Sequence, residues 1–217
     1  MDYIRLTLER IGSSLPSPVT TYHIGGNAMC WYGLKDTTKD TDLVFIEDVE
    51  LFETALISGG FLRTDEQVKY KIGEPYARYS EIKNTPLDKP FIPGLDIDLF
   101  FKDICGKITF SQGMVSRSAI IWESGNLMNR ICSKEDIFIF KAVAGRPDDV
   151  VDMRSLAESG LNWDSVADEY ISQLSRLRRP IVLEISEIFT QSISNLREDS
   201  KISLPNSFTK KIARINK

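Results

Sequence analysis

Apolar residues in the opening stretch "DYIRLTLERIGSSL" fall at Ile4, Leu8, Ile11 and Leu15. Steps of three and four place them on one side of a helix, which Pro16 and Pro18 bring to an end. "VTTYHI" is β-branched and aromatic and predicts a short buried strand, punctuated by Gly25-Gly26. A short helix over 27–32 follows, closed by Gly33, and the polar loop "LKDTTKD" leads into a strand "TDLVFI". Asp48 stands as the N-cap of a helix through Leu56 that Gly59-Gly60 ends.

Further along, "VKYKI" and "ARYSEI" read as short strands beside the proline-bearing loop "NTPLDKPFIPG", and "LDIDLFF" and "KITF" as two more. From Ser133 the pattern turns helical. Ser133 with Asp136 resembles a capping box, Gly145 stops that helix, and Pro147, Asp148 and Asp149 open the next. Helices are expected at "WDSVADEYISQLSRL", "PIVLEISEIFTQSISNL" and "PNSFTKKIARI". The expected class is α+β: a mixed sheet flanked by helices over residues 1–132, then a helical domain over 133–217.

The bulk numbers narrow the function classes. A chain of 217 residues, 42% hydrophobic and 27% charged, buries an ordinary globular core. Its net charge of -4 argues against non-specific coating of nucleic acid. Cys30, Cys105 and Cys132 form no CxxC pair, so neither a zinc cage nor a disulfide framework is signalled and a reducing compartment is expected. With no signal-peptide pattern and no run near the roughly 18 apolar residues of a membrane span, a cytoplasmic protein without membrane partners is expected.

The chemistry is carried by acidic strands. Asp40 and Asp42 are two apart, so in a strand they share a face. Two ionised carboxylates about 4 Å apart repel by roughly 4 kcal/mol at an effective dielectric near 20, which points to a cation between them. "LDIDLFF" repeats the arrangement with Asp96 and Asp98, although Asp is depleted in strands. Gly25-Gly26 lets a backbone approach a ligand closely, with helix amides behind it for phosphate oxygens. An Asp pair chelates Mg²⁺, a hard cation that often shares its shell with phosphates. A metal-bound nucleoside triphosphate is therefore the expected ligand.

The residues "GGNA…GLKDTTKDTDLVF…DIDLF" resemble the nucleotidyltransferase superfamily typified by DNA polymerase beta. The resemblance implies a nucleotidyltransferase-like sheet and a catalytic, metal-binding set of Asp40, Asp42 and Asp98, with Mg²⁺ or Mn²⁺ as cofactor. Asp98 is preferred over Asp96 because family strands run acid-aliphatic-aliphatic there. It also implies that Gly25, Gly26 and Asn27 grip the triphosphate. A looser match, "EDIFIFKAVAGRPDDVVDM", is similar to the Lys…Arg…Asp…Asp pattern of abortive-infection type nucleotidyltransferase toxins and their uncharacterised relatives. It adds Lys141 as a nucleotide ligand, with Arg146, Asp149 and Asp152 in accessory positions and Lys35 near a basic position of the family. Asn27, where Ser is usual, and Thr41, where an apolar residue is usual, depart from the pattern. The implied reaction moves a nucleoside monophosphate to an RNA, protein or small-molecule acceptor, with a toxin-antitoxin setting; the alternative is a non-catalytic nucleotide- or RNA-binding module.

Plainer readings stand beside these. His23 suits a packed strand residue better than a general base. Lys141 is equally a snorkelling lysine of an apolar helix. Asp149 and Asp152 are equally a solvated face or partners of Arg146 and Arg154. Trp31, Tyr32, Tyr76 and Tyr79 pack in a core by default. The segment from Ile171 onward is basic by roughly five charges, as a solvated face or an RNA-facing one.

Overall fold

A computed structural model of the chain describes residues 2–64, 76–82, 94–104, 106–200 and 202–215. Cys105, "VKYKI" and nearly all of "NTPLDKPFIPG" lie outside the described residues.

The strands are β1 (Val19–Ile24), β2 (Asp40–Phe45), β3 (Phe61–Arg63), β4 (Ala77–Glu81), β5 (Asp96–Phe101), β6 (Asp103–Ile104), β7 (Ile108–Thr109), β8 (Ala119–Ser124) and β9 (Leu127–Ile131). Seven form one mixed sheet in the order β3-β4-β5-β2-β1-β9-β8, and β6 and β7 make a separate hairpin. The helices are α1 (Asp2–Ser14), α2 (Gly25–Trp31), α3 (Val49–Ser58), α4 (Gln112–Arg117), α5 (Lys134–Ala144), α6 (Asp149–Glu158), α7 (Trp163–Leu174), α8 (Arg179–Ser200) and α9 (Asn206–Ile215). The class is α+β, as the alternating patterns predict.

The period-two alternation of the strands divides the apolar residues between two cores. Leu43, Phe45, Ile97 and Leu99 face α1 and α3, meeting Leu8, Ile11, Phe52 and Leu56. Val44, Phe100, Tyr22 and Ile24 face the other way, into a core that continues through Phe138, Tyr170, Phe189 and Phe208. The second core therefore joins the sheet to the C-terminal helices. Its helical part holds a stacked pair, Tyr170 on Phe189, with ring centroids 3.9 Å apart.

A charged clasp ties the same parts together. Arg117 of α4 pairs with Asp136 of α5 at 2.7 Å and with Glu169 of α7 at 2.6 Å. Both carboxylates are largely buried, and the single guanidinium satisfies them by its planar fork. Arg117 in turn is held firmly in its charged form.

Three differences from the local expectations concern caps and turns. Ser133 caps α5 by accepting from the Asp136 amide, yet the Asp136 carboxylate accepts from Ser133 Oγ and from Arg117, not from the Ser133 backbone N–H that a reciprocal box would use. Asp48 occupies the N-cap of α3 in a left-handed conformation, φ 57°, and its side chain makes no capping bond. The third difference is the β8–β9 hairpin, which the apolar pattern did not announce. It turns at Gly125, φ 55°, and a bulge between Ile120 and Trp122 breaks the alternation that would have marked β8. Among the described residues, no helix is long and apolar enough to cross a membrane.

Candidate functional site

The parallel register of β2 and β5 sets Asp40 against Asp96 and Asp42 against Asp98. On the far side of β5, the antiparallel register of β4 sets Arg78 against Asp98 and Ser80 against Asp96. These residues all point to one face of the sheet, the face that carries Val44 and Phe100. The result is a grid of two rows: Arg78, Asp98 and Asp42 in one, Ser80, Asp96 and Asp40 in the other.

Within the grid the two strands are treated differently. Both acids of β5 have partners from β4. Arg78 grips Asp98 with both arms, Nε to Oδ1 at 2.5 Å and Nη2 to Oδ2 at 2.6 Å, and Ser80 Oγ donates to Asp96 Oδ1 at 2.6 Å. The acids of β2 have no ion-pair partner among the described residues. Asp40 accepts only from Thr38 Oγ1, at 3.2 Å.

The electrostatics follow. Burial, together with repulsion from Asp40 and Asp98, pushes the Asp42 carboxyl up to about 8, against the pull of Arg146 and Lys141. Asp42 is half-buried and lines the cavity beside it. Burial raises Asp98 too, and Arg78 opposes that rise.

Gly25 closes over Asp42. Its φ of 61° is left-handed, and a Cβ there would fall 2.0 Å from Asp42 Oδ2. Only glycine fits at this point. Gly25 and Gly26 are the first residues of α2, which starts two positions earlier than expected. Gly26 faces Thr38, whose Oγ1 would lie 2.9 Å from a Cβ, with Lys35 beyond it.

The helical half supplies cations. Gly25, Asp42, Lys141 and Arg146, with Phe100 and Phe140, line a cavity of about 50 Å³. That is room for an ion and water. Lys141 is buried on α5 and bonds Asp149 Oδ1 at 2.8 Å and Asp152 Oδ2 at 2.6 Å. Arg146 reaches Asp149 at 2.7 Å, and Lys35, from the loop after α2, reaches Asp152 at 3.0 Å. Burial would raise the Asp152 carboxyl, but Lys141 and Lys35 together hold it below its ordinary value. Asp149 and Asp152 are thus partners of three cations, two of which line the cavity, not a solvated face, and Arg154 pairs instead with Glu158.

Asn27 departs from its expected role. It is fully buried, and its Nδ2 donates to His23 Nδ1 at 2.6 Å. His23 Nε2 then donates to Asn129 Oδ1 at 3.0 Å, an arrangement that fixes the Nε2–H tautomer. This network lies on the opposite face of β1 from Asp42, so the Asn27 side chain does not meet the acidic grid. Burial pushes the His23 imidazole down to about 4, leaving it neutral, as befits a packed strand residue. Asn27 Oδ1, Asn129 Nδ2 and the Trp122 indole nitrogen remain buried without partners beside it.

Beyond Gly145, which caps α5 at φ 62°, a cleft of about 410 Å³ opens toward α8, lined by Glu184, Glu187, Ile188, Gln191, Ser192 and Asn195. Nothing in the local pattern marks it, because its walls come from the end of α5 and from α8, whose start lies 35 positions beyond that end. On α9, Lys211 is engaged by Asp164 at 3.0 Å and Asp168 at 2.9 Å, so part of the basic C-terminal segment is neutralised within the fold.

The donor set suits one hard cation. Asp40 and Asp42 offer two carboxylates without an ion-pair partner among the described residues, and a divalent ion would relieve the repulsion that raises Asp42. Among the described residues, no three His, Cys, Asp or Glu side chains converge as a ready-made cage. The remaining ligands would come from water and phosphate oxygens, as is usual for Mg²⁺.

No protein-family model matches the chain, and no curated protein matches it. Among solved structures it is similar to JHP933 from Helicobacter pylori, at 16% identity and a TM-score of 0.47 over 92% of this chain and 94% of that one. It is also similar to a candidate nucleotidyltransferase from H. pylori, at 16% identity and a TM-score of 0.46 over 91% of this chain and 96% of that one.

Proposed function

We propose that the chain is a metal-dependent nucleotidyltransferase, moving a nucleoside monophosphate from a nucleoside triphosphate to an acceptor and releasing pyrophosphate. The observation that supports this reading most is the meeting of Gly25, Asp42, Lys141 and Arg146 around one cavity. A bare glycine turn, an uncompensated acid and two cations are what a metal-bound polyphosphate needs on its several sides.

Each group has a task in this reading. Asp40 and Asp42 hold Mg²⁺ or Mn²⁺, which when bound supplies charge against the triphosphate and polarises the reacting phosphoryl group. The Gly25 and Gly26 backbone leaves room for the phosphates to approach. Lys141, Arg146 and Lys35 meet phosphate oxygens, and Asp149 and Asp152 hold those cations in place beforehand, so little reorganisation accompanies binding. The cleft beyond Gly145 is open to the acceptor, whether RNA, protein or a small molecule. A cytoplasmic, toxin-antitoxin setting fits such an enzyme.

A second reading is a nucleotide- or RNA-binding module without turnover. The engagement of Asp98 by Arg78 and of Asn27 by His23 favours it, since two residues of the implied site are committed elsewhere. Incorporation of each labelled nucleoside triphosphate, with Mg²⁺ or Mn²⁺, into RNA, protein and small-molecule fractions separates the two. Label in one fraction that disappears in Asp40→Ala/Asp42→Ala supports the enzyme. Nucleotide binding with no label in any fraction supports the module.

A further inference from the structure

The asymmetry of the acidic grid bears on how many metal ions the site takes. Asp98 is the fully buried member, and its partner Arg78 has a side chain 19% exposed. Two nitrogens of one guanidinium engage its two oxygens at 2.5 and 2.6 Å. This is the fork geometry in which arginine binds carboxylate best, and the group stays charged at any relevant pH. Pulling Arg78 away would leave a buried carboxylate beside Asp40, Asp42 and Asp96, all of them acidic.

A second ion in a two-metal site stands about 3.5–4 Å from the first, and beside the two acids of β2 it needs a further carboxylate free to ligate it. Asp98 is the member of the grid in register with Asp42 on β5, and a fixed positive charge already holds it. Asp96 is no substitute for it, because it lies one row away beside Asp40 and accepts from Ser80. By contrast, Asp40 and Asp42 have no ion-pair partner among the described residues, and Lys141 and Arg146 act on Asp42 only across the cavity.

We propose that Arg78 is the resident cation of the Asp98 position, so that this chain takes one divalent ion, at Asp40 and Asp42, and not two. The inference rests on the metal-nucleotide reading of the site. It makes Arg78 a positioning residue: the guanidinium fixes Asp98 and replaces the second metal's charge in the grid.

The test is a count of Mn²⁺ bound per chain, by electron paramagnetic resonance, with and without a non-hydrolysable nucleoside triphosphate analogue, alongside direct measurement of analogue binding. The expected result is one ion in the wild type under both conditions, two in Arg78→Gln, and one in Arg78→Lys, which keeps the charge. Two ions in the wild type overturn the proposal even if Arg78→Gln fails to fold. One ion in both the wild type and a folded Arg78→Gln overturns Arg78 as the cause. Analogue binding without any Mn²⁺ overturns the proposal and leaves nucleotide recognition standing, whereas neither analogue nor Mn²⁺ binding sinks both.

Discussion

Gly25 and Asp42 stand so close that a methyl group on the first would fall 2.0 Å from a carboxylate oxygen of the second. The contact joins the start of α2 to the second acidic position of β2, and it gives the turn and the acid a single shared geometry.

Gly25→Ala therefore strains the backbone and displaces the acid at once. The left-handed conformation alone costs about 1–2 kcal/mol for a residue with a Cβ. Urea unfolding is expected to show a loss at least that large, together with loss of Mn²⁺ binding. Gly26→Ala, at ordinary φ and facing the movable Thr38 side chain, is expected to lose less than half as much.

Asp42 makes the metal-free protein less stable in alkali. Its folded pKa of about 8 lies above the ordinary 3.8, so the folded chain holds a proton that the unfolded chain gives up between those values. The corresponding stability is complete below pH 3.8 and is lost as pH rises through 8. Asp42→Asn is expected to melt higher than the wild type at pH 8, with the difference shrinking toward pH 4. Mn²⁺, which displaces the proton, is expected to bind the wild type more tightly as pH rises toward 8.

His23 acts in the acid range with the opposite sign. Its imidazole is held down to about 4 by burial, against 6.5 when exposed, so the unfolded chain binds the extra proton first. Stability present above pH 6.5 is expected to drain away as pH falls through 4. Denaturant titrations across that window should lose this part of the slope in His23→Gln.

Lys141 joins two buried acids, and Lys141→Met leaves each with one cation, Arg146 for Asp149 and Lys35 for Asp152. Removing one partner from a buried ion pair usually costs about 3–5 kcal/mol, and the remaining cations hold the loss near about 3. Calorimetry is expected to show that loss, and nucleotide binding should weaken by far more than it does in Arg154→Met, whose partner Glu158 is exposed.

The parts of this fold readable in advance are those governed by local rules. Helix stops at Gly33 and Gly145, the strands around Asp42 and Asp98, and the helical run after Ser133 follow from φ preferences and periodicity. The in-register meeting of Asp40 with Asp96 and of Asp42 with Asp98 depends on a parallel pairing that local pattern cannot specify. The same holds for Asn27: its amide reads as a phosphate donor until β9, from over 100 positions later, brings Asn129 to His23. Arg78 carries no local signal, because an arginine in "ARYSEI" looks like the outward residue of an edge strand, and only the β4–β5 register turns it onto Asp98.

The place of β1 in the sheet sets the order in which the protein becomes whole. It sits between β2, its near neighbour in sequence, and β9, whose residues 127–131 emerge from the ribosome long afterwards. A nascent chain therefore carries its acidic strands with one flank of the central strand unpaired until β9 arrives, and Lys141 and Arg146 come later still. Such non-local closure is slow, and each new molecule passes through an interval of vulnerability to aggregation. Until then the cavity beside Asp42 lacks two of the residues that line it, Lys141 and Arg146.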